Sequence, residues 1–366
     1  MKKIIALLLS LTLVMTMLVA CGKKDATETK ADPTAAPTTA PATDEKKDDA
    51  ATDTTAEPAA AKTGLAVITS LGKSKNAEAD KDGLAEVGST VVAVLVGQDG
   101  KILKCSIDVA QTKINFSKEG KLVTDKTTVF QSKQELKEAY GMKKASSIGK
   151  EWYEQADALE AYVIGKTVDE VKGIAVTEDG VPTVADLSAT VTVKIKDYVA
   201  AIEKAVATAQ DLGAKETDKL GLGIATNIAK SKDAAADAEG VAQAYSTYTA
   251  LTTDADGKIT SILIDSSQGN VKFDTAGVIT TDLTVAPQSK QELKDAYGMK
   301  KASGIGKEWF EQANAFAAYV TGKTVAEVNG IALTDGAPSD ADLASSVTVT
   351  VTDLISVIDK AAANAQ

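Results

Sequence analysis

Hydrophobic positions divide the chain into three regions of different character. After Met1-Lys2-Lys3, residues 4–20 are predominantly apolar, which is typical of a secretory signal peptide and is short for a spanning helix of about 20 apolar residues. Residues 22–63 contain no Leu, Ile, Val, Met, Phe, Tyr or Trp. Such a segment cannot bury enough apolar surface to offset its ordering entropy, which predicts a disordered tether. Periodic apolar patterns begin at Gly64.

The first periodic segments predict strands joined by a tight turn. A Val-rich segment at Thr90–Gly97 and a second segment with strand composition at Ile102–Val109 flank Asp99-Gly100. Asp-Gly between two such segments is a strong hairpin signal, and Asp256-Gly257 supplies the same signal further along the chain. A shorter hairpin is predicted over residues 114–124, with its turn at Glu119-Gly120.

Helical spacing appears after the hairpins. One apolar face predicts a helix from about Ile148 to Val163, formed by Ile148, Trp152, Ala156, Leu159 and Val163. Gly165 is well placed to end this helix. A Val-Thr alternation at residues 190–193 predicts another strand, and a final helix is predicted from about Asp197 to Ala207.

The periodic region is a tandem repeat with an offset of 157 residues. Residues 131–174 and 288–331 are identical at 35 of 44 positions. Each copy is about the size of one domain, so we predict repeat domain 1 over residues 64–212 and repeat domain 2 over residues 213–366. Strands grouped first and helices grouped later predict an α+β fold for both copies, with antiparallel hairpins and packed helices.

Composition narrows the chemistry that the chain can perform. The chain has no His, and all 40 of its basic residues are Lys. A Ser-His-Asp triad, a Cys-His pair and His-ligated zinc or haem are therefore excluded, and hydrolytic enzymes become a poor interpretation. The formal charge is −11, or −13 once Lys2 and Lys3 are removed with the signal peptide. An acidic chain is repelled by nucleic acid and by anionic lipid, so no nucleic-acid partner is expected.

The end of the apolar N-terminal segment carries a cysteine. Leu18-Val19-Ala20-Cys21 resembles the lipobox of bacterial lipoproteins. The resemblance implies a signal peptide at residues 1–20, a diacylated Cys21 at the start of the tether at residues 21–63, and anchoring by membrane lipid on the extracytoplasmic face. The other cysteine, Cys105, then has no partner for a disulfide and is expected to be a small buried apolar residue.

The segment before the last helix resembles the end of the FMN-binding domain of redox subunits and extracellular electron-transfer proteins. That family has Asp, two variable residues, then Ser-Gly-Ala-Thr, and its Thr hydroxyl is joined to the flavin phosphate by a phosphoester bond. The resemblance implies FMN attachment at Thr348 after Asp342, and at Thr192 after Asp186 in the first copy. The Gly-Ala pair of the family is Ser346-Val347 in the second copy and Thr190-Val191 in the first, where Ala189 also replaces the family's Ser.

Two further pieces carry the same resemblance. Gly257-Lys258-Ile259 lies on the second hairpin strand, and Gly304-Ile305-Gly306 leads into a predicted helix. Tandem copies behind a lipid anchor are similar to the flavin-carrying surface lipoproteins of some Gram-positive electron-transfer chains. The function implied is an extracellular electron carrier that meets a flavin transferase and a membrane dehydrogenase.

Alternatives to this interpretation stay open at the level of sequence. Val347–Val351 alternates with Thr and is also the pattern of a strand with Val inward. Tyr297, Trp309 and Phe310 suit stacking on a flavin ring, but aromatic residues at helical spacing are more often core. The corresponding alternative function is a cofactor-free surface binding or scaffold lipoprotein.

Overall fold

The structure is a computed structural model that describes residues 57–366. The predicted signal peptide, the predicted lipidation site at Cys21 and most of the predicted tether lie outside these residues. The described part of the chain forms one compact unit with an α+β fold, as predicted. None of its helices is long and apolar enough to cross a membrane.

The first repeat opens with a three-stranded antiparallel sheet. Its strands are β1 (Lys62–Ser70), β2 (Gly83–Val96) and β3 (Ile102–Phe116), hydrogen-bonded in that order. The predicted hairpin turn at Asp99-Gly100 is confirmed, and Gly100 takes the positive φ of 79° that favours glycine there. Ala61 is fully buried, so the last residues assigned to the tether belong to the fold.

Helices follow the sheet of the first repeat. They are α1 (Lys133–Leu136), a 3-10 turn (Lys137–Tyr140), α2 (Trp152–Val163), α3 (Val168–Lys172), α4 (Ala185–Ser188) and α5 (Lys196–Ala207). The predicted long helix begins at Trp152 instead of Ile148, and it ends before Gly165 as expected. The predicted closing helix is confirmed by α5.

The second repeat has the same order of elements. Its sheet contains β4 (Lys219–Asn227), β5 (Gly240–Thr253) and β6 (Ile259–Phe273), again antiparallel in that order. Its helices are α6 (Lys290–Leu293), a 3-10 turn (Lys294–Tyr297), α7 (Trp309–Val320), α8 (Val325–Asn329), α9 (Ala341–Ala344) and α10 (Thr352–Ala363). A two-residue pair, β7 (Leu333–Thr334) and β8 (Ala337–Pro338), lies between α8 and α9.

The shorter hairpin predicted at residues 114–124 is confirmed: Phe116 pairs antiparallel with Leu122, Ser117 N donates to Lys121 O at 2.7 Å, and Gly120 takes a positive φ of 66° at the turn. The strand prediction for residues 190–193 and 347–351 is wrong. The Val-Thr alternations at residues 190–193 and 347–351 are loops that connect a short helix to the closing helix. The alternation arises because Val191, Val347 and Val351 are fully buried although the loop pairs with no strand.

Each sheet is buried on both faces. Val92 and Val94 of β2 pack against α2 and α5 of the same repeat, whereas Val91, Ala93 and Leu95 pack against the sheet of the other repeat. The result is four layers, with helices outside and two sheets facing each other. Because both faces are covered, residues 91–96 of β2 form a continuous apolar segment instead of an alternating one.

Each repeat therefore has a hydrophobic core of its own, and two further hydrophobic clusters contain residues from both repeats. One shared cluster includes Tyr248 of β5, and another includes Phe116 and Phe273, whose rings stack with centroids 4.2 Å apart. Two ion pairs at matching positions also join the repeats, Lys204 with Glu292 and Lys360 with Glu135, each at 2.7 Å.

Candidate functional site

The predicted attachment residue Thr348 lies in the loop between α9 and α10. Its side chain is exposed, while the flanking Val347 is fully buried in the core of the second repeat. The hydroxyl of Ser346 donates to the carbonyl oxygen of Leu343 at 3.2 Å. The two side chains that replace the family's Gly-Ala pair are thus both engaged with the protein, and Thr348 is presented to solvent.

A buried amide holds this loop in place. Gln312 of α7 is fully buried, and its Oε1 accepts hydrogen bonds from Thr348 N (2.8 Å), Val349 N (3.1 Å) and Thr348 Oγ1 (3.2 Å). Its Nε2 donates to Ser303 Oγ (3.1 Å) and Lys307 O (3.2 Å). Gln312 therefore ties the loop of Thr348 to the segment that contains Gly304-Ile305-Gly306, the other piece of sequence that carries the family resemblance.

The first repeat builds the same arrangement around Gln155. The Oε1 atom of Gln155 accepts from Thr192 N (2.8 Å), Thr192 Oγ1 (3.2 Å) and Val193 N (3.2 Å). Thr192 is half-buried where Thr348 is exposed. The hydroxyl of the second repeat is therefore the more accessible of the two.

The aspartates of the motif do not meet the threonines. Asp342 is exposed in the first turn of α9, and its backbone N–H is capped by Asp340 Oδ1 at 3.1 Å. Asp186 is exposed in the first turn of α4. Neither carboxylate accepts a hydrogen bond from any of residues 57–366, so their closeness to Thr348 and Thr192 in sequence leads to no hydrogen bond in the fold.

Two of the three aromatic residues proposed for stacking, Tyr297 and Trp309, lie against a lysine instead, and Phe310 is partly buried against the core of the second repeat. Lys290, at 4 % exposure, places its Nζ 4.5 Å from the ring centroid of Tyr297, 4.8 Å from that of Trp309 and 4.6 Å from that of Tyr245. The Nζ donates to the Tyr245 hydroxyl at 3.0 Å. Burial, together with the positive charge of Lys230, lowers the pKa of Lys290 to about 7. Trp309 and Tyr297 are thus core residues around an amine.

The first repeat carries a more open version of this lysine environment. Lys133 lies 4.7 Å from the ring centroid of Tyr140 and 5.1 Å from that of Trp152. Gly88 stands where the second repeat has Tyr245, and the Trp152 indole donates instead to the Tyr198 hydroxyl at 2.9 Å. Sequence reasoning missed both lysines, because their aromatic neighbours come from elements far apart in the chain.

A buried aspartate anchors each of these lysine-bearing turns. Asp265 Oδ1 accepts from Ser266 N (2.7 Å) and Gln291 N (3.0 Å), and Asp108 makes the matching bonds to Val109 N and Gln134 N. Burial raises the pKa of each aspartate to about 6, against the opposing effect of these hydrogen bonds. Two backbone donors on one carboxylate oxygen indicate a structural role in starting α1 and α6.

Comparison with known proteins gives little coverage of this chain. No protein-family model and no solved structure matches it. A stretch of 41 residues is 56% identical to part of the chlorophenol reductase of Desulfitobacterium hafniense, which is 11% of this chain and 12% of that protein. The chain therefore spans only a small part of the length of the relative that it matches.

Proposed function

We propose that the protein is a membrane-anchored extracytoplasmic lipoprotein, lipidated at Cys21, that carries FMN on Thr348 and, to a lesser extent, on Thr192. The observation that carries the proposal is the exposed Thr348 hydroxyl on a loop fixed by the buried Gln312. The same arrangement at Thr192 and Gln155 supports a shared purpose for the two loops. Electron transfer between a membrane dehydrogenase and an external acceptor is the role this cofactor would serve.

The residues present are compatible with a phosphoester at Thr348. Esterification would remove the weak bond from Thr348 Oγ1 to Gln312, but the N–H groups of Thr348 and Val349 would still satisfy the Gln312 oxygen. The buried Gln312 oxygen therefore keeps two donors. The cost of an unsatisfied buried acceptor, about 1–3 kcal/mol, does not arise. Val347 and Ser346 are engaged elsewhere and leave the hydroxyl uncovered.

The Lys290 amine lies against one face of the Trp309 and Tyr297 rings, and Trp309 is only 4 % exposed, so these rings offer a flavin little stacking surface. Attachment is therefore expected to depend on the ester bond and on a flavin transferase that forms it. When bound, FMN supplies one- and two-electron chemistry, and the protein positions it. In this arrangement Gln312 holds Thr348 in place, and the predicted tether sets the distance from the membrane.

Replacing Thr348 with Ala is expected to abolish most covalent FMN, because the residue loses the only atom able to form the ester. The side chain is exposed and makes one weak hydrogen bond, so the fold should persist. The protein is produced with a flavin transferase, and intact mass and in-gel flavin fluorescence after denaturation report attachment.

Thr350→Ala is the matched control, since Thr350 is an exposed threonine of the same loop and its loss should leave the flavin in place. Thr192→Ala should remove only a minor fraction. An unmodified mass for the unaltered protein, after production with a competent transferase, would eliminate covalent attachment.

A second candidate function is a cofactor-free binding or scaffold lipoprotein. It is favoured by the engagement of Trp309 and Tyr297 with Lys290, which removes the expected stacking surface. Absence of visible flavin absorbance in the native protein, together with an unmodified mass, would select this candidate over the electron carrier.

Cys21→Ala is expected to release the protein from the membrane fraction, because two acyl chains provide stable anchoring and a chain with a net charge of −11 is repelled by anionic lipid. Labelling with a radioactive fatty acid and membrane fractionation measure the effect. Cys105→Ala is the control, since the buried Cys105 thiol is not in a lipobox. A labelled, membrane-bound Cys21→Ala protein would disprove the lipoprotein proposal.

A further inference from the structure

Each repeat forms a groove with the last residues of the other repeat. The first groove, about 700 Å³ in volume, lies between β3 and α2 of the first repeat and Leu222, Asn364 and Gln366 of the second. The second groove, about 400 Å³, lies between β6 and α7 and the residues Gln210 and Leu212. The two grooves occupy equivalent places in the tandem repeat, so each serves as an internal reference for the other.

The equivalent positions of the two grooves differ in chemistry. At the repeat offset of 157 residues, Cys105, Ser106, Asp157 and Glu160 of the first groove become Ile262, Leu263, Asn314 and Ala317 in the second. These differences include two of the nine substitutions in the most similar stretch of the repeats. The first groove thus carries two carboxyl groups at positions where the second repeat has uncharged side chains.

Glu160 is the most unusual group of the first groove. The residue is 6 % exposed, and its Oε1 accepts the N–H of Ile107 at 2.6 Å. No donor among residues 57–366 bonds its second oxygen. Burial, with the negative charges of Asp157 and Asp108, raises the pKa of Glu160 to about 8, because no cation compensates the carboxylate.

Three acidic side chains of the groove form no ion pair with nearby lysines. Within the described residues, Asp108, Asp157 and Glu160 take part in no ion pair, and Glu135 at the groove edge is already bonded to Lys360 at 2.7 Å. Two lysines also line the groove without pairing with these three carboxyl groups, namely Lys104 and Lys137. Asp157 Oδ1 accepts a hydrogen bond from Gln134 Nε2 at 2.9 Å, but the second oxygens of Asp157 and Glu160 accept none from residues 57–366. A positively charged occupant would find its acceptors there.

The shape of the groove favours an organic cation over a metal ion. No set of three His, Cys, Asp or Glu side chains between residues 57 and 366 is arranged to hold a metal. The volume lies within the roughly 300–1,000 Å³ of small-molecule sites. Leu103, Ile164 and the aromatic ring of Tyr153 add apolar surface beside the acids, which suits a hydrocarbon chain that carries an ammonium group.

We propose that the first groove binds an organic ammonium compound, with its positive charge against the carboxyl groups of Asp157 and Glu160 and its hydrocarbon part against Leu103 and Ile164. Binding displaces the proton of Glu160 to the solvent, so that the carboxylate and the ammonium group form an ion pair. This site is independent of Thr348 and of any flavin.

Several other ionisable groups line the groove around Glu160. From β3 they are Lys104, Cys105 and Asp108; from α1, the following turn and α2 they are Glu135, Lys137, Tyr153 and Asp157. The side chains that face it from the second repeat, Leu222, Asn364 and Gln366, do not titrate. Burial raises the pKa of Asp108 to about 6 and that of Glu160 to about 8, so at pH 7 Asp108 is mostly ionised and Glu160 is the carboxyl group expected to release its proton on binding.

Calorimetric titration of the intact protein with 1,5-diaminopentane tests the proposal. One molecule should bind at pH 7 with release of close to one proton, measured by comparing buffers of different ionisation enthalpy. Affinity should rise with pH between 6 and 8. Glu160→Ala and Asp157→Asn, which introduce the residues of the second repeat, should each weaken binding at least tenfold.

Asp169→Asn is the matched control, because it removes one exposed carboxylate outside the groove and should leave affinity within twofold. Carboxyl NMR of the unaltered protein should show the Glu160 titration moving to lower pH when the diamine is added, which gives a test that needs no variant. Equal binding of 1,5-pentanediol, displacement of the diamine by Mg²⁺, no proton release, or no binding at all would each overturn the proposal.

Discussion

Residues 213–366 produced without the first repeat are expected to associate with themselves instead of remaining monomeric. In the intact protein, Leu222, Ile224, Tyr248 and Ala250 of this repeat are buried against the sheet of the other. Removing the first repeat exposes this apolar face of the sheet. A contiguous apolar patch on a protein surface is a typical site of association. A second copy of the fragment offers a sheet of the same topology to cover it.

Sedimentation velocity over a range of concentrations measures this association, and urea unfolding should show stability that rises with protein concentration. Residues 57–366 serve as the reference and should remain monomeric. A fragment that is monomeric and unfolds cooperatively at low concentration would show that the contacts between the sheets contribute little to the fold.

Phe116→Ala and Phe273→Ala are expected to destabilise the intact protein by about 3–5 kcal/mol each, the usual range for a fully buried Phe. The two rings are fully buried and stacked with an interplanar angle of 4°. Gly83 and Gly240 lie directly against the rings, and this close packing limits collapse into the cavity. Urea unfolding followed by circular dichroism measures the free energy of unfolding.

The double variant distinguishes a shared core from two separate ones. Because the rings touch, losing both should cost less than the sum of the single losses, with a difference of about 0.5–3 kcal/mol. Val129→Ala, at a position that is 86 % exposed, is the control and should change stability by less than about 0.5 kcal/mol. Strictly additive losses would indicate that each repeat unfolds without sensing the other.

Local features of the fold were predictable from the sequence because local chemistry determines them. The hairpin at Asp99-Gly100 follows from turn preferences, and α2 and α5 follow from helical spacing. The exposed position of Thr348 between the buried Val347 and the half-buried Val349 also agrees with the alternation of residues 347–351. The segment is nevertheless a loop, and its backbone bonds the side chain of Gln312 in place of a neighbouring strand.

Features that join distant segments were not predictable from one sequence. The apolar segment Val91–Val96 indicates burial on both faces, but it does not say that a second sheet covers one of them. The aromatic surroundings of Lys290 include Tyr245, which lies on β5, 45 positions earlier in the chain. The sequence does contain one indication of the groove beside Glu160, because the equivalent residue in the otherwise similar second copy is Ala317. This difference can be interpreted only after the structure shows that Glu160 lines a groove.

The packing of sheet against sheet has a consequence for the order in which the chain acquires its structure. Contacts between the repeats join residues about 200 positions apart, such as Thr63 with Ser261 and Asn76 with Ile279. Closing such long loops costs conformational entropy before the contacts they allow can stabilise the fold, and this makes folding slow. During synthesis the first sheet is complete long before Phe273 exists, so its apolar face stays uncovered while the remaining residues are added. A chain exported in the unfolded state would therefore rely on protection from aggregation until its second half arrives.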